Sequence, residues 1–147
     1  MKPVRIRATG LLVRDNQLLL VNHQKQGKSY YLLPGGGVDG NETVQEALHR
    51  ELLEELGIEV EVGSLLLAAQ TVSPNRDRNI LHLVHRVYSE QEPKFTGNDQ
   101  RVTGFYWYCM NQKEEILFYP DILPSILELT ENPSYNGIEL KLPEWLD

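Results

Sequence analysis

The chain has 147 residues, 41% hydrophobic and 24% charged, the proportions of one folding domain and not of a disordered, collagenous or coiled-coil chain. Fourteen Lys and Arg stand against 21 Asp and Glu, a net charge of −7, which argues against gripping an extended nucleic acid over a wide face. The single cysteine, Cys109, excludes an internal disulfide and a cysteine zinc knuckle and fits a reducing, cytoplasmic setting.

Residues 4–13 are rich in strand formers, Asp15-Asn16 is a turn pair and 18–21 is a compact apolar run, so a hairpin is expected. Residues 30–33 form a short strand that stops at Pro34, where Gly35, Gly36 and Gly37 begin a loop open to unusual backbone angles. Asn41 is placed to cap a helix that runs to Leu56, and Gly57 supplies its stop. Three longer strands follow over 59–71, 80–88 and 102–109, then a helix over 121–130 with Pro124 in its first turn, then a tail over 132–147 with weak signals. The pattern predicts one α/β domain over 1–147, with a strand-rich mixed sheet and no regular βαβ alternation. No apolar run approaches the roughly 20 residues that a membrane-spanning helix needs, and Arg and Gly interrupt the basic start before an export signal could form.

On a helical wheel with Val44 at zero, Ala47, Leu48, Leu52 and Leu56 define one apolar face. Glu51 and Glu55 fall at about −20° and 20°, inside that arc, and Glu54 lies near its edge at about −80°. Carboxylates on a core-facing surface suffer desolvation and mutual repulsion, so they protonate or acquire a cation. The wheel leaves two readings open: a solvated or Arg50-paired group, or a metal site. Arg50, at about −120°, is expected to reach Glu54 one turn away but not Glu51 and Glu55 as well. Gly36 and Gly37 would let a ligand approach the backbone, and carboxylate and carbonyl oxygens suit Mg²⁺ or Mn²⁺ better than zinc. An acidic chain that handles phosphates is expected to use such ions.

Gly36, five residues, Glu42, seven residues and then Arg50-Glu51-Leu52-Leu53-Glu54-Glu55-Leu56-Gly57-Ile58 resemble the Nudix box over residues 36–58, and the flanking strands resemble the Nudix domain. The resemblance implies an α/β/α sandwich with a mixed sheet and a hydrolase that uses Mg²⁺ or Mn²⁺ to cleave a nucleoside diphosphate linked to another moiety. It implies that Glu51, Glu54 and Glu55 are metal ligands, with the Gly36 carbonyl and Glu42 as auxiliaries. Arg50 would orient a glutamate, and Glu54 would serve as general base. Many relatives carry a glutamate shortly before the tryptophan-bearing strand; here Gln100-Arg101 precede Trp107, which argues against a base from that loop. A homodimer is a reasonable expectation.

Outside the box, Pro74, Arg76 and Arg78 lie between two long strands, where the arginines could approach a phosphate or ribose. Pro74 follows Ile58 at a spacing similar to that of ADP-ribose-hydrolysing relatives, which favours ADP-ribose or a nucleotide sugar slightly over a nucleoside triphosphate as the small-molecule substrate. A non-catalytic nucleotide-sensing module is the alternative of a different class. His82 and His85, three apart in one strand, are expected on opposite faces, with His82 as a candidate pocket residue. Tyr30, Tyr31 and the aromatics of 105–108 are available to stack on a base, though alternation leaves half of that last run to any one pocket.

Overall fold

A computed structural model of the chain describes residues 2–132, 138 and 140–146. Its strands are β1 (Arg5–Leu11), β2 (Val13–Arg14), β3 (Gln17–Lys25), β4 (Lys28–Leu32), β5 (Gly35–Gly37), β6 (Glu61–Val72), β7 (Asn79–Tyr88), β8 (Val102–Cys109) and β9 (Leu140–Lys141). The helices are α1 (Val44–Leu56) and α2 (Leu123–Glu131). The strands make two sheets. One runs β5-β1-β7-β6-β9, with β1 parallel to β7 and β6 parallel to β9. The other is antiparallel and centred on β3, which pairs β2 and β4 along successive stretches and β8 across Gln17 to His23.

The hairpin expected at the start forms only from β2 and β3, across Asp15 and Asn16 at φ 50° and 62°, the left-handed pair that tight hairpins require. β1 leaves for the other sheet because its partners are β5 and β7. The helix cap also differs from expectation. Thr43, not Asn41, caps α1: its hydroxyl accepts from the Glu46 N–H and the Glu46 carboxylate accepts from the Thr43 N–H, each at 3.1 Å. This reciprocal pair satisfies two otherwise orphaned donors. Gly57, at φ 65°, ends the helix in the left-handed conformation and donates to the Leu52 and Leu53 carbonyls.

The core is divided. Ala47, Leu48, Leu52 and Leu56 of α1 are fully buried against Ala8, Leu19, Val21 and Leu32. Ile126 of α2 packs into a second cluster with Leu18, Leu20, Val84 and Tyr108. Each buried leucine contributes about 1.5–3 kcal/mol, so the α1 face fixes where the remaining residues of that helix can point. Phe105 and Trp107 pack on the first cluster and Tyr106 and Tyr108 on the second, as strand alternation requires. Among the described residues no helix is long and apolar enough to cross a membrane.

Candidate active site

The site forms where β5 passes beneath α1. Gly36 pairs with Ala8 of β1, and a Cβ at Gly36 would overlap the carboxylate of Glu51. The missing side chain therefore lets a helix carboxylate lie directly on the loop backbone. Arg50 secures this arrangement. Its Nε and Nη2 donate to the two Glu42 carboxylate oxygens at 2.8 and 2.7 Å, Nη1 donates to Glu51 at 2.9 Å and lies 3.4 Å from Glu54, and Nη2 donates to the Gly37 carbonyl at 3.1 Å.

The expectation that Arg50 cannot reach Glu51 is thus corrected. The wheel places Cβ atoms, whereas the long arginine stem carries a forked head across to the neighbouring residue. Its hydrogen bond holds the Glu42 carboxyl down to about 2, and Glu42 in turn raises the guanidinium above the usual arginine range. Both Glu42 oxygens serve Arg50, with Oε1 also accepting from the Asp39 N–H at 2.9 Å, so Glu42 anchors the arginine and does not line the pocket beside it.

That pocket, about 500 Å³, is lined by Glu51, Glu54 and Glu55 on α1 and by the segment 98–101. The segment is drawn over the helix end by the Thr96 hydroxyl, 2.6 Å from the Glu54 carbonyl, and by Asn98 Nδ2, which donates to the same carbonyl at 2.9 Å. These bonds satisfy carbonyls that the last helical turn leaves free. Asp99 reaches the pocket too but lies 3.2 Å from Arg101. Burial alone would raise its carboxyl, yet Arg101 holds it below the usual range.

Glu55 is 6% exposed, and its Oε1 is buried without a hydrogen-bond partner. Burial pushes its carboxyl up to about 8, against the pull of Arg7 and with a further push from Glu51. Glu51 is likewise raised by burial despite Arg50. Among the described residues no three His, Cys, Asp or Glu side chains already converge on one metal-sized point. Like charges have no reason to converge without a cation between them. The orphaned Glu55 oxygen, the neighbouring Glu51 and Glu54 carboxylates and the Gly36 backbone on which Glu51 lies are a hard-oxygen donor set that fits Mg²⁺ or Mn²⁺.

The residues singled out beyond the box lie elsewhere. Pro74, Arg76 and Arg78 are exposed in the β6–β7 turn, and none lines the carboxylate pocket. Ser73 and Asn75 hold that turn, and the Arg78 guanidinium stacks 4.7 Å over the Trp145 ring of the tail. His82 is 1% exposed, with Nε2 3.0 Å from the Thr71 hydroxyl, and lines a separate small cavity with Arg7, Thr9, Phe118 and Tyr119. His85 turns the other way, to the Gly63 carbonyl at 3.1 Å. Sequence reasoning missed Arg7, Thr96 and Asn98. A lone arginine in a strand and two polar loop residues carry no spacing signal that would have marked them.

Burial, then the charge of Arg7, lowers the His82 imidazole to about 4 from an ordinary 6.5. Between those values the unfolded chain holds a proton that the native histidine lacks, so stability falls as pH is lowered through that window. We expect His82→Gln to recover about 3 kcal/mol of the acid-side loss. Urea unfolding of both proteins at pH 7 and pH 4 in chelator measures it; parallel curves would contradict it.

The NUDIX domain family model matches residues 4–127. The CTP pyrophosphohydrolase of Escherichia coli K12 is 33% identical over 135 residues, which cover 89% of this chain and 91% of that protein. The ADP-ribose pyrophosphatase of Methanocaldococcus jannaschii is 40% identical over 73 residues, 49% of this chain and 42% of that protein, so the chain spans less than half the length of that relative. A MutT NUDIX hydrolase from Burkholderia pseudomallei superposes with a TM-score of 0.73 at 25% identity, covering 86% of this chain and 98% of its own.

Proposed function

The chain belongs to the Nudix family of hydrolases, and from that premise we propose that it is a divalent-metal-dependent pyrophosphohydrolase acting on a nucleoside diphosphate linked to a further group. One observation carries the reading: Glu55 is buried and unpartnered beside Glu51 and Glu54 in a pocket that no described cation of the chain neutralises by ion-pairing to Glu55. A pyrophosphate substrate repels an incoming nucleophile, so charge neutralisation and positioning are what catalysis requires.

Glu51, Glu55 and the Gly36 carbonyl would hold Mg²⁺ or Mn²⁺, with Glu54 at the mouth. When bound, such an ion neutralises phosphate charge and lowers the pKa of a coordinated water. Arg50 keeps Glu51 in place through its 2.9 Å bond and is itself fixed by Glu42, so it is a positioning residue. Glu54, with a side chain 55% exposed and, among the described residues, one 3.4 Å ion pair, to Arg50, is the carboxylate with solvent access. It accepts the proton of the attacking water on a carboxylate oxygen. Thr96 and Asn98 keep the 98–101 segment against the helix and so shape the opposite wall.

ADP-ribose or a nucleotide sugar remains a candidate from the sequence. Nucleoside triphosphates are a second reading, favoured by the CTP-hydrolysing relative that aligns along nearly its whole length. Mononucleotide release from ADP-ribose, nucleotide sugars, dinucleoside polyphosphates and nucleoside triphosphates, in Mg²⁺, Mn²⁺ or chelator, tests both. Metal-dependent cleavage of one class is expected. Metal-dependent nucleotide binding without turnover on any compound would replace the hydrolase reading with a sensing module.

A further inference from the structure

Arg7 lies on β1, in register with Gly37 of β5 on one side and His82 of β7 on the other. Its Nη2 donates to the Gly35 carbonyl at 3.4 Å, one residue from the backbone assigned to the metal. No carboxylate among the described residues is within ion-pair distance of it. A guanidinium has five donors, and one long bond leaves most of them without a described partner.

Its surroundings are of two kinds. On one side its charge acts on Glu55 and Glu51 across a gap wider than an ion pair. On the other it shares the small cavity with His82 and Tyr119. Tyr119 meets the rings of Tyr30, His82 and Trp145 edge-on, at 6.2, 5.6 and 6.3 Å. His82 Nδ1, in the same cavity, is buried without a hydrogen-bond partner. The cavity itself, about 10 Å³, has room for no more than a water, but Tyr30, Tyr119 and Trp145 around it are only half-buried. Arg7 therefore stands between a carboxylate pocket suited to metal-bound phosphate and rings whose exposed parts a nucleoside can stack on. The phosphate that lies between metal and nucleoside in any substrate of the proposed class is the one esterified to the ribose.

We propose that Arg7 is a substrate-binding residue whose guanidinium takes the oxygens of that nucleoside-bearing phosphate. The inference rests on the pyrophosphohydrolase reading and adds to it a contact outside the box. A forked guanidinium suits a phosphate better than a point charge does. Before substrate arrives the same charge offsets the crowded glutamates, which accounts for a half-buried cation without a carboxylate in ion-pair contact.

Steady-state kinetics and product inhibition of Arg7→Gln test the proposal, with metal binding measured separately by the thermal shift from Mn²⁺ alone. We expect KM to rise about 30-fold, the range lost with a charged hydrogen bond. Inhibition by the mononucleotide product should weaken by a similar factor. Inhibition by the other product, pyrophosphate or a sugar phosphate, and the Mn²⁺ shift should stay as in the wild type. Arg7→Lys, which keeps charge but loses the fork, should fall between, and it decides the matter if Arg7→Gln does not fold. Unchanged KM and mononucleotide inhibition would overturn the proposal. So would equal weakening of both products, because Arg7 would then act through the carboxylates. Wild-type protein that neither binds nor cleaves any nucleotide would instead overturn the functional reading beneath it.

Discussion

Glu55→Gln is expected to lower kcat/KM by roughly a thousandfold or more, the scale of removing an electrostatic group whose effect is several kcal/mol at the transition state. The fold should survive, because glutamine has the same shape and Glu55 Oε1 has no partner to lose. A second consequence separates this variant from a generally damaged protein. The native Glu55 carboxyl titrates near 8 against an ordinary 4.5. Between those values the native chain keeps a proton that the unfolded chain has released, so the stability of metal-free protein falls as pH rises through that window. Glutamine has no proton to lose. In chelator at pH 7 the variant should therefore be more stable than wild type by about 3 kcal/mol.

With Mg²⁺ added the order should reverse, since a bound ion stabilises only the chain that can ligate it. Urea unfolding at pH 5 and pH 7, with and without Mg²⁺, reads both effects. Wild-type activity in Glu55→Gln, or a variant less stable than wild type in chelator at pH 7, would refute the account. Glu54→Gln should also lose activity by orders of magnitude, but without the gain in metal-free stability, because its side chain is half exposed. Full turnover of Glu54→Gln at saturating Mg²⁺ would remove it from the mechanism.

The largest effect on the fold itself is expected from Gly35→Ala. Gly35 has φ 152°, and a Cβ there would overlap the Ala8 carbonyl and lie 2.7 Å from the Thr9 Cα. Both obstacles are backbone in the pairing of β5 with β1, so neither can move aside as a side chain would. Strained backbone alone costs about 1–3 kcal/mol, and the clash adds to it. A loss above about 4 kcal/mol is expected, enough to unfold a domain of marginal stability. Circular dichroism and thermal unfolding should show little native protein, and a melting temperature within a few degrees of wild type would contradict it. Gly36→Ala tests a different link: the atoms nearest its Cβ would be those of the Glu51 carboxylate, the movable end of a side chain, so it should fold and lose activity as the carboxylate is displaced.

Much of this was legible in the chain because it is local. The longer strands and both helices follow alternation and 3.6-residue periodicity, and the glutamates on the apolar arc of α1 were visible as a broken pattern, whereas Gly35–Gly37, expected as a loop, forms β5 because its backbone pairs with β1. The cap moved from Asn41 to Thr43 because both residues suit the role. The reciprocal bonds with Glu46 select Thr43, and their signal was local: Glu46 stands three residues after Thr43, whereas Val44 stands three after Asn41. The surroundings of the candidate substrate arginines, which lie outside the carboxylate pocket, were not legible in the chain. Arg78 lies close in sequence to exposed turn residues, but a ring 67 positions on, Trp145, takes its guanidinium.

The sequence by itself determined that α1 carries three carboxylates on or beside its buried face and that glycines precede it, since spacing along one helix fixes direction without reference to the rest of the fold. Tertiary structure decided which of those carboxylates is uncompensated. Arg50 is shared between Glu42 and Glu51, the 98–101 segment closes over the helix end, and Arg7 comes from a strand more than 40 positions earlier to face Glu55 across a gap. Charge compensation and burial depend on distances between segments remote in the chain, and those distances exist only once the sheets have paired.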